Sequence, residues 1–166
     1  FGCGLGADVE LLEPLGVKAV GWDPAHRPDT PFRESEVVNL GYVVNVIESN
    51  SERVEVLRKA WTLAKRLLVV SARLASEMKD HSFQPYADGC VTKTKTFQKY
   101  FEQNELRQWI ESSLEAQAVA AAPGIFYIFR DLDWKEVFLA SRIRRRPAAE
   151  RISATMARFT AHRELL

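Results

Sequence analysis

Phe1-Gly2-Cys3-Gly4-Leu5-Gly6, followed by Val17-Lys18-Ala19-Val20-Gly21-Trp22-Asp23, is the stretch on which the reading of the fold turns. Glycines at alternate positions let a backbone turn tightly and come close to a ligand, because a side chain there would occupy the ligand's volume. The apolar run closed by Asp23 reads as a strand ending in a carboxylate, placed to accept hydrogen bonds from both hydroxyls of a ribose. The interval from the glycines to Asp23 is about the twenty residues that such sites use. Gly2, Cys3, Gly4, Gly6, Trp22 and Asp23 are therefore candidate contacts of a nucleoside cofactor. Cys3 reads as a small residue tolerated beside the ligand, and Trp22 as either flanking the adenine or packing beneath it.

Gly2, Gly4 and Ala7 also fit the spelling that places a pyrophosphate on a helix N-terminus, so the glycines alone do not choose the cofactor. A loop of this kind follows a strand, yet only Phe1 stands before Gly2. The expectation is a sheet whose first, central strand is missing, and weak cofactor binding by the piece as it stands.

Outward from this stretch, residues 7–15 read as a short helix with Val9, Leu11, Leu12 and Leu15 on its apolar side, stopped by Gly16. Pro24, Pro28 and Pro31 interrupt regular structure after the 17–22 strand. Residues 36–40 form a third strand, 41–48 a turn entering a short helix, and 52–65 an amphipathic helix with Val54, Leu57, Trp61 and Ala64 on one stripe. Residues 67–71 read as a buried strand, 72–96 as an extended polar loop, and 97–114 as a helix with Phe97, Phe101, Trp109, Ile110 and Leu114 inward. A hairpin of 118–121 and 125–129 around Pro123-Gly124 and a helix over 133–141 complete the order. Strands alternating with helices predict an α/β domain: a mainly parallel sheet ending in an antiparallel hairpin, with its ligand at the carboxyl ends of the strands.

The composition, 166 residues with 46% hydrophobic and 27% charged, suits one globular domain, expected over 1–146. A net charge of +1 gives no general attraction to nucleic acid or membrane. Basic residues gather late, at Arg142, Arg144, Arg145, Arg146, Arg151, Arg158 and Arg163, so 147–166 reads as a basic helical or disordered tail that either touches phosphates or is simply solvated. Cys3 and Cys90 are far apart and His26, His81 and His162 are scattered, so no metal site is expected. No apolar run approaches a membrane span and no leader is visible, which makes the cytoplasm the expected compartment.

Taken in order, these pieces resemble the Rossmann-like class I S-adenosylmethionine-dependent methyltransferases. Gly2-Cys3-Gly4-Leu5-Gly6 looks like their first motif, Asp23 like the ribose contact, and the run from Val37 to Glu48 like the motif beside the methyl donor, which adds Leu40 and Gly41 to the cofactor contacts. The hairpin through Pro123 and Gly124 looks like their ending. Gly21-Trp22-Asp23-Pro24, Val70-Ser71-Ala72-Arg73-Leu74, Thr96-Phe97-Gln98-Lys99 and the stretch from Ile125 to Arg130 resemble, more closely, the methyltransferase-like family associated with DNA phosphorothioation. The resemblance implies S-adenosylmethionine as cofactor and DNA or another nucleic acid as partner. The span between Pro24 and Ser35 is short for the family's adenine-binding elements, leaving Asp29 as adenine contact or plain turn residue.

Asn39-Leu40-Gly41-Tyr42 has the Asn and Tyr spacing of the amino-methyltransferase motif without its two prolines. Asn39 and Tyr42 are thus the candidate catalytic pair, binding and stacking a flipped base, or else a strand-end cap and a ring packed on the donor. Asn45 and Glu48 read as helix polar face or site lining, and Lys93, Lys95 and Lys99 with nearby aromatics as a nucleic-acid strip or a solvated loop. Arg73 reads as holding an anionic substrate or pairing at the surface. Two other classes fit less of the pattern: a noncatalytic cofactor-sensing or DNA-binding module, and an NAD-dependent oxidoreductase.

Overall fold

A computed structural model describes residues 1–78 and 83–142. The chain divides into two units, and the account below concerns Phe1–Trp134; of the unit from Lys135 onward only the helical residues to Arg142 are described. Arg144, Arg145, Arg146, the 147–166 tail, His81 and His162 lie outside the described residues.

The protein is α/β with a mixed sheet. Strands β1 (Ser35–Gly41), β2 (Ala64–Ser71), β6 (Ala118–Ala122) and β7 (Ile125–Phe129) form a four-stranded sheet in the order β1-β2-β7-β6. Only β1 and β2 run parallel, with Asn39 opposite Val69, while β7 is antiparallel to both of its neighbours. The expected mainly parallel sheet is corrected here. The two-residue turn at Pro123-Gly124 sends β7 back between β2 and β6, so the hairpin contributes two of the sheet's three pairings.

A parallel pair needs a crossover, and α2 (Asn50–Leu63) supplies it. Ser49 caps it by accepting a hydrogen bond from the Glu52 amide at 3.4 Å. Its buried face is Arg53, Leu57 and Ala60, one step round from the expected Val54-centred stripe, because an arginine takes the first inward position. Helix α3 (Gln103–Leu114) buries Leu106, Ile110 and Leu114 beside it. Together with Leu40, Leu68, Val70, Phe126 and Ile128 from the sheet, these residues make one apolar core.

Several expectations shift. Helix α1 spans Ala7–Leu12, continued by a 3-10 turn over Glu13–Leu15, but Leu11 and Leu15 are exposed. Residues 17–22 form no strand, because among the described residues no strand pairs with them along their length. Residues 42–46 turn without becoming a helix. The 72–96 loop holds β3 (Gln84–Tyr86) and β4 (Gly89–Val91), which pair with β5 (Phe97–Gln98) in a second, three-stranded sheet. Phe97 is therefore in a strand, and α3 begins only at Gln103, where the Glu105 carboxylate accepts from the Glu102 amide at 3.1 Å. Helix α4 spans Leu132–Arg142. No described helix is long and apolar enough to cross a membrane.

Candidate functional site

The glycine loop is held by the segment that follows it. Gly2, Gly4 and Gly6 all have left-handed backbone, at φ 69°, 55° and 93°. A Cβ on Gly2 would run into the Val43 side chain, and one on Gly6 into the Arg27 guanidinium. Packing within the protein thus accounts for both. Gly4 differs, since nothing stands within 4 Å of where its Cβ would be. Its bare backbone faces open space, the condition under which a ligand can approach the main chain.

Asp23 closes this loop. Its Oδ2 accepts from the Gly4 amide at 2.8 Å, while Oδ1 accepts from the amides of Ala25 and His26 and lies 3.0 Å from the His26 Nδ1. Burial on its own would raise the carboxyl pKa, but these hydrogen bonds outweigh it and hold the group at about 2, below its ordinary 3.8. A carboxylate has about four lone-pair positions, and three donors crowd Oδ1. One position on Oδ2 is left for a ligand, enough for one hydroxyl. Reaching both hydroxyls of a ribose requires the half-exposed His26 ring to turn away.

The sign of the acid response follows. A depressed carboxylate stabilises the folded loop fully above its ordinary 3.8, and that contribution is lost as the pH falls through about 2. Acid titration followed by Trp22 fluorescence is expected to show a transition between these two values, absent in Asp23→Asn. The same transition in the variant would assign it elsewhere.

Arg27 is the second clasp, and sequence reasoning passed over it. Its Nη2 donates to the Leu5 carbonyl at 2.8 Å, and its amide donates to the Asp23 carbonyl at 3.0 Å. Its spacing of four residues from Asp23 was the only signal. Cys3 packs its sulfur against Gly21, where a Cβ would lie 2.6 Å away, so its small size serves the loop's own packing. Trp22 sits among rings, 4.8 Å from Phe1 and 4.5 Å from Phe32. Asp29 is exposed.

The carboxyl end of β1 reaches the same place. The Phe1 nitrogen donates to the Asn39 carbonyl at 2.9 Å, and Gly2 packs on Val43, so the loop and the Asn39 to Tyr42 turn lie side by side. Leu40 is fully buried in the core and offers only its backbone. Asn39 is exposed, and among the described residues its side-chain amide makes no hydrogen bond to local backbone. That amide and the Ser71 hydroxyl flank Gly41, at 3.3 and 3.5 Å from where a Cβ would be. Tyr42 is half-exposed with φ 58°, a conformation that costs a side-chain-bearing residue about 1–2 kcal/mol, and its amide donates to the Ser71 carbonyl at 2.8 Å. The Arg73 guanidinium stands 5.8 Å from its ring and 3.5 Å from Glu77.

Asn45 is buried in the turn with its Oδ1 unpartnered, and the Glu48 carboxylate accepts from the Tyr86 hydroxyl, raising that phenol's pKa. Of the lysine strip, Lys93 and Lys95 are exposed and Lys99 is not. Lys99 is buried and paired with Glu105 at 2.7 Å and Asp88 at 3.3 Å. Asp88 also takes both its oxygens to Arg53 Nη2, at 2.6 and 2.7 Å. Burial would raise this carboxyl, and the two cations outweigh it, holding it below the ordinary range. No group of three His, Cys, Asp or Glu side chains able to hold a metal ion occurs among the described residues. Comparison with known proteins finds no matching family model and no significantly similar curated protein or solved structure.

Proposed function

We propose that the domain belongs to the Rossmann-like class I methyltransferases, binding S-adenosylmethionine at the glycine loop and transferring its methyl group to a base of DNA or another nucleic acid. The observation that carries this reading is the junction of the Asp23-clasped loop with the Asn39 to Tyr42 turn at one end of the sheet. The antiparallel β7, seated between β2 and β6, supports it over a nicotinamide oxidoreductase, whose sheet is parallel.

The residues fit a nucleoside: Gly4 offers bare backbone and Asp23 an acceptor position on Oδ2. When bound, the cofactor supplies an electrophilic methyl group on sulfur. The chain's part is to align acceptor and donor and to exclude water. Asn39 offers an unengaged side-chain amide that would orient an exocyclic amine toward the methyl carbon, with the carbon–sulfur bond breaking to release the neutral thioether and the amine's proton passing to solvent. The ring of Tyr42, presented by its left-handed backbone, stacks on the base. The link to DNA phosphorothioation rests on the sequence resemblance.

Calorimetric titration with S-adenosylmethionine, S-adenosylhomocysteine and NAD tests the proposal. The two sulfur nucleosides are expected to bind more tightly than NAD, with their binding weakened at least about tenfold in Asp23→Ala through loss of a charge-assisted hydrogen bond. Preference for NAD, or no binding of the sulfur nucleosides, refutes it. Binding without methyl transfer to DNA favours the noncatalytic sensing module.

A further inference from the structure

A cavity of about 680 Å³ lies between α2, α3 and the turn that joins β3 to β4, and none of its lining residues belongs to the glycine loop or to the Asn39 to Tyr42 turn. Arg53 of α2 and Lys99 line it with side chains only 1% and 9% exposed, whereas the carboxylates that meet them, Asp88 and Glu105, are 43% and 45% exposed. The cations are fixed in the protein, and the anions stand where they can turn into water. Asp88 is also a poor match for its arginine. A guanidinium binds a carboxylate best through two nitrogens and two parallel hydrogen bonds. Both Asp88 oxygens instead accept from Arg53 Nη2, at 2.6 and 2.7 Å, which leaves the buried Arg53 Nε without an acceptor. Trp109 Nε1, contributed by α3, is likewise buried and makes no hydrogen bond among the described residues. Buried donors of this kind cost the fold free energy until an acceptor reaches them. No buried side-chain oxygen lining the cavity lacks a partner among the described residues, so acceptors are what the site is short of. The turn that presents Asp88 is strained as well, since Ala87 has left-handed backbone at φ 49°.

We infer that Arg53 and Lys99 form a seat for a phosphate group, for which the Asp88 carboxylate is the chain's own competitor. A phosphate offers three terminal oxygens that do not share a plane with its phosphorus, so it can face Nε and Nη2 of Arg53 and Nζ of Lys99 together. The planar carboxylate of Asp88 reaches Nη2 and Nζ and leaves Nε over. Entry of the phosphate turns Asp88 out into water and frees the β3–β4 turn to relax at Ala87. Glu48 and Glu105 line the same cavity and oppose a polyanion, so the seat takes one phosphate group and not a nucleic-acid backbone. The inference is independent of which cofactor the glycine loop binds.

Inorganic phosphate and phenyl phosphate, each compared with chloride at equal ionic strength, test the seat, with the Trp109 indole N–H resonance of the whole chain as the readout. Both are expected to shift that resonance saturably. Tighter binding of phenyl phosphate assigns the ligand as a phosphate monoester, and equal binding assigns the free ion. Because Asp88 competes for the seat, Asp88→Asn is expected to bind both about tenfold more tightly. The double variant Arg53→Met with Asp88→Ala should bind neither. Melting gives a second readout: saturating phosphate is expected to raise the Tm of Asp88→Ala by about 5 °C over chloride, because a ligand held only by the folded state stabilises it. An unmoved Trp109 resonance, an affinity unchanged in Asp88→Asn, or an equal phosphate effect in the double variant overturns the inference.

Discussion

Asp88→Ala is expected to destabilise the protein by about 3 kcal/mol, the lower end of the range for leaving a buried charge without its partner. Arg53 is 1% exposed, and its Nη2 donates to both Asp88 oxygens and, at 3.3 Å, to the Glu48 carbonyl. Without Asp88 the guanidinium keeps only that carbonyl. Lys99 loses one carboxylate but retains Glu105, and Asp88 is itself partly exposed, so the lower end applies. The loss is not the net worth of the ion pair, because removing both charges also removes the desolvation problem. Urea denaturation of Asp88→Ala alone and of the double variant Arg53→Met with Asp88→Ala separates the two. The double variant should recover more than half of the loss, and a double variant no more stable than the single one would show that the turn holding Asp88 has a different role.

Phe126→Ala is expected to cost about 4 kcal/mol, within the 3–5 kcal/mol typical of emptying a buried aromatic position. Phe126 is 1% exposed on β7, with Val70 of β2 on one side and Ala120 of β6 on the other. It lies in the strand that holds the two halves of the sheet together, so the structure has little freedom to collapse into the space. Phe129→Ala, at the end of the same strand and only partly buried, should cost less than half as much. Comparable losses at both positions in urea melts would mean that β7 is not seated in the middle of the sheet.

Local pattern made much of this fold legible. The apolar run of β2, the helical period of α2 and the Pro123-Gly124 turn each act over a few residues, and each element stands close to where the sequence puts it. What the pattern does not carry is pairing. Ile125 to Phe129 has the same alternation whether β7 lies at an edge or between two strands, so the mixed character of the sheet was hidden. Residues 17–22 have strand-forming composition and no ladder along their length. Phe97 and Phe101 imitate a helical i, i+4 pair, although a strand and an isolated bridge to Leu74 separate them from the helix.

For the candidate site, Asp23 and the glycines were visible because their chemistry depends on spacing along the chain. Arg27 and the Asp88 cluster were not, since one needs a fold that lays it over Gly6 and the other joins residues distant in sequence. Lys99 looks identical in sequence to its exposed neighbours, and only the fold, which buries it against the partly exposed carboxylates of Asp88 and Glu105, reveals the difference.

The position of β2 also bears on the order of events on the ribosome. β1, α2 and β2 are contiguous, so the parallel unit can assemble as soon as Ser71 has emerged. The other side of β2 takes its partner from Ile125–Phe129, which is translated only after the whole of the second sheet and α3. During that interval the nascent chain presents an apolar strand with one open side, the form of intermediate that chaperones bind and that neighbouring polypeptides on a polysome can capture.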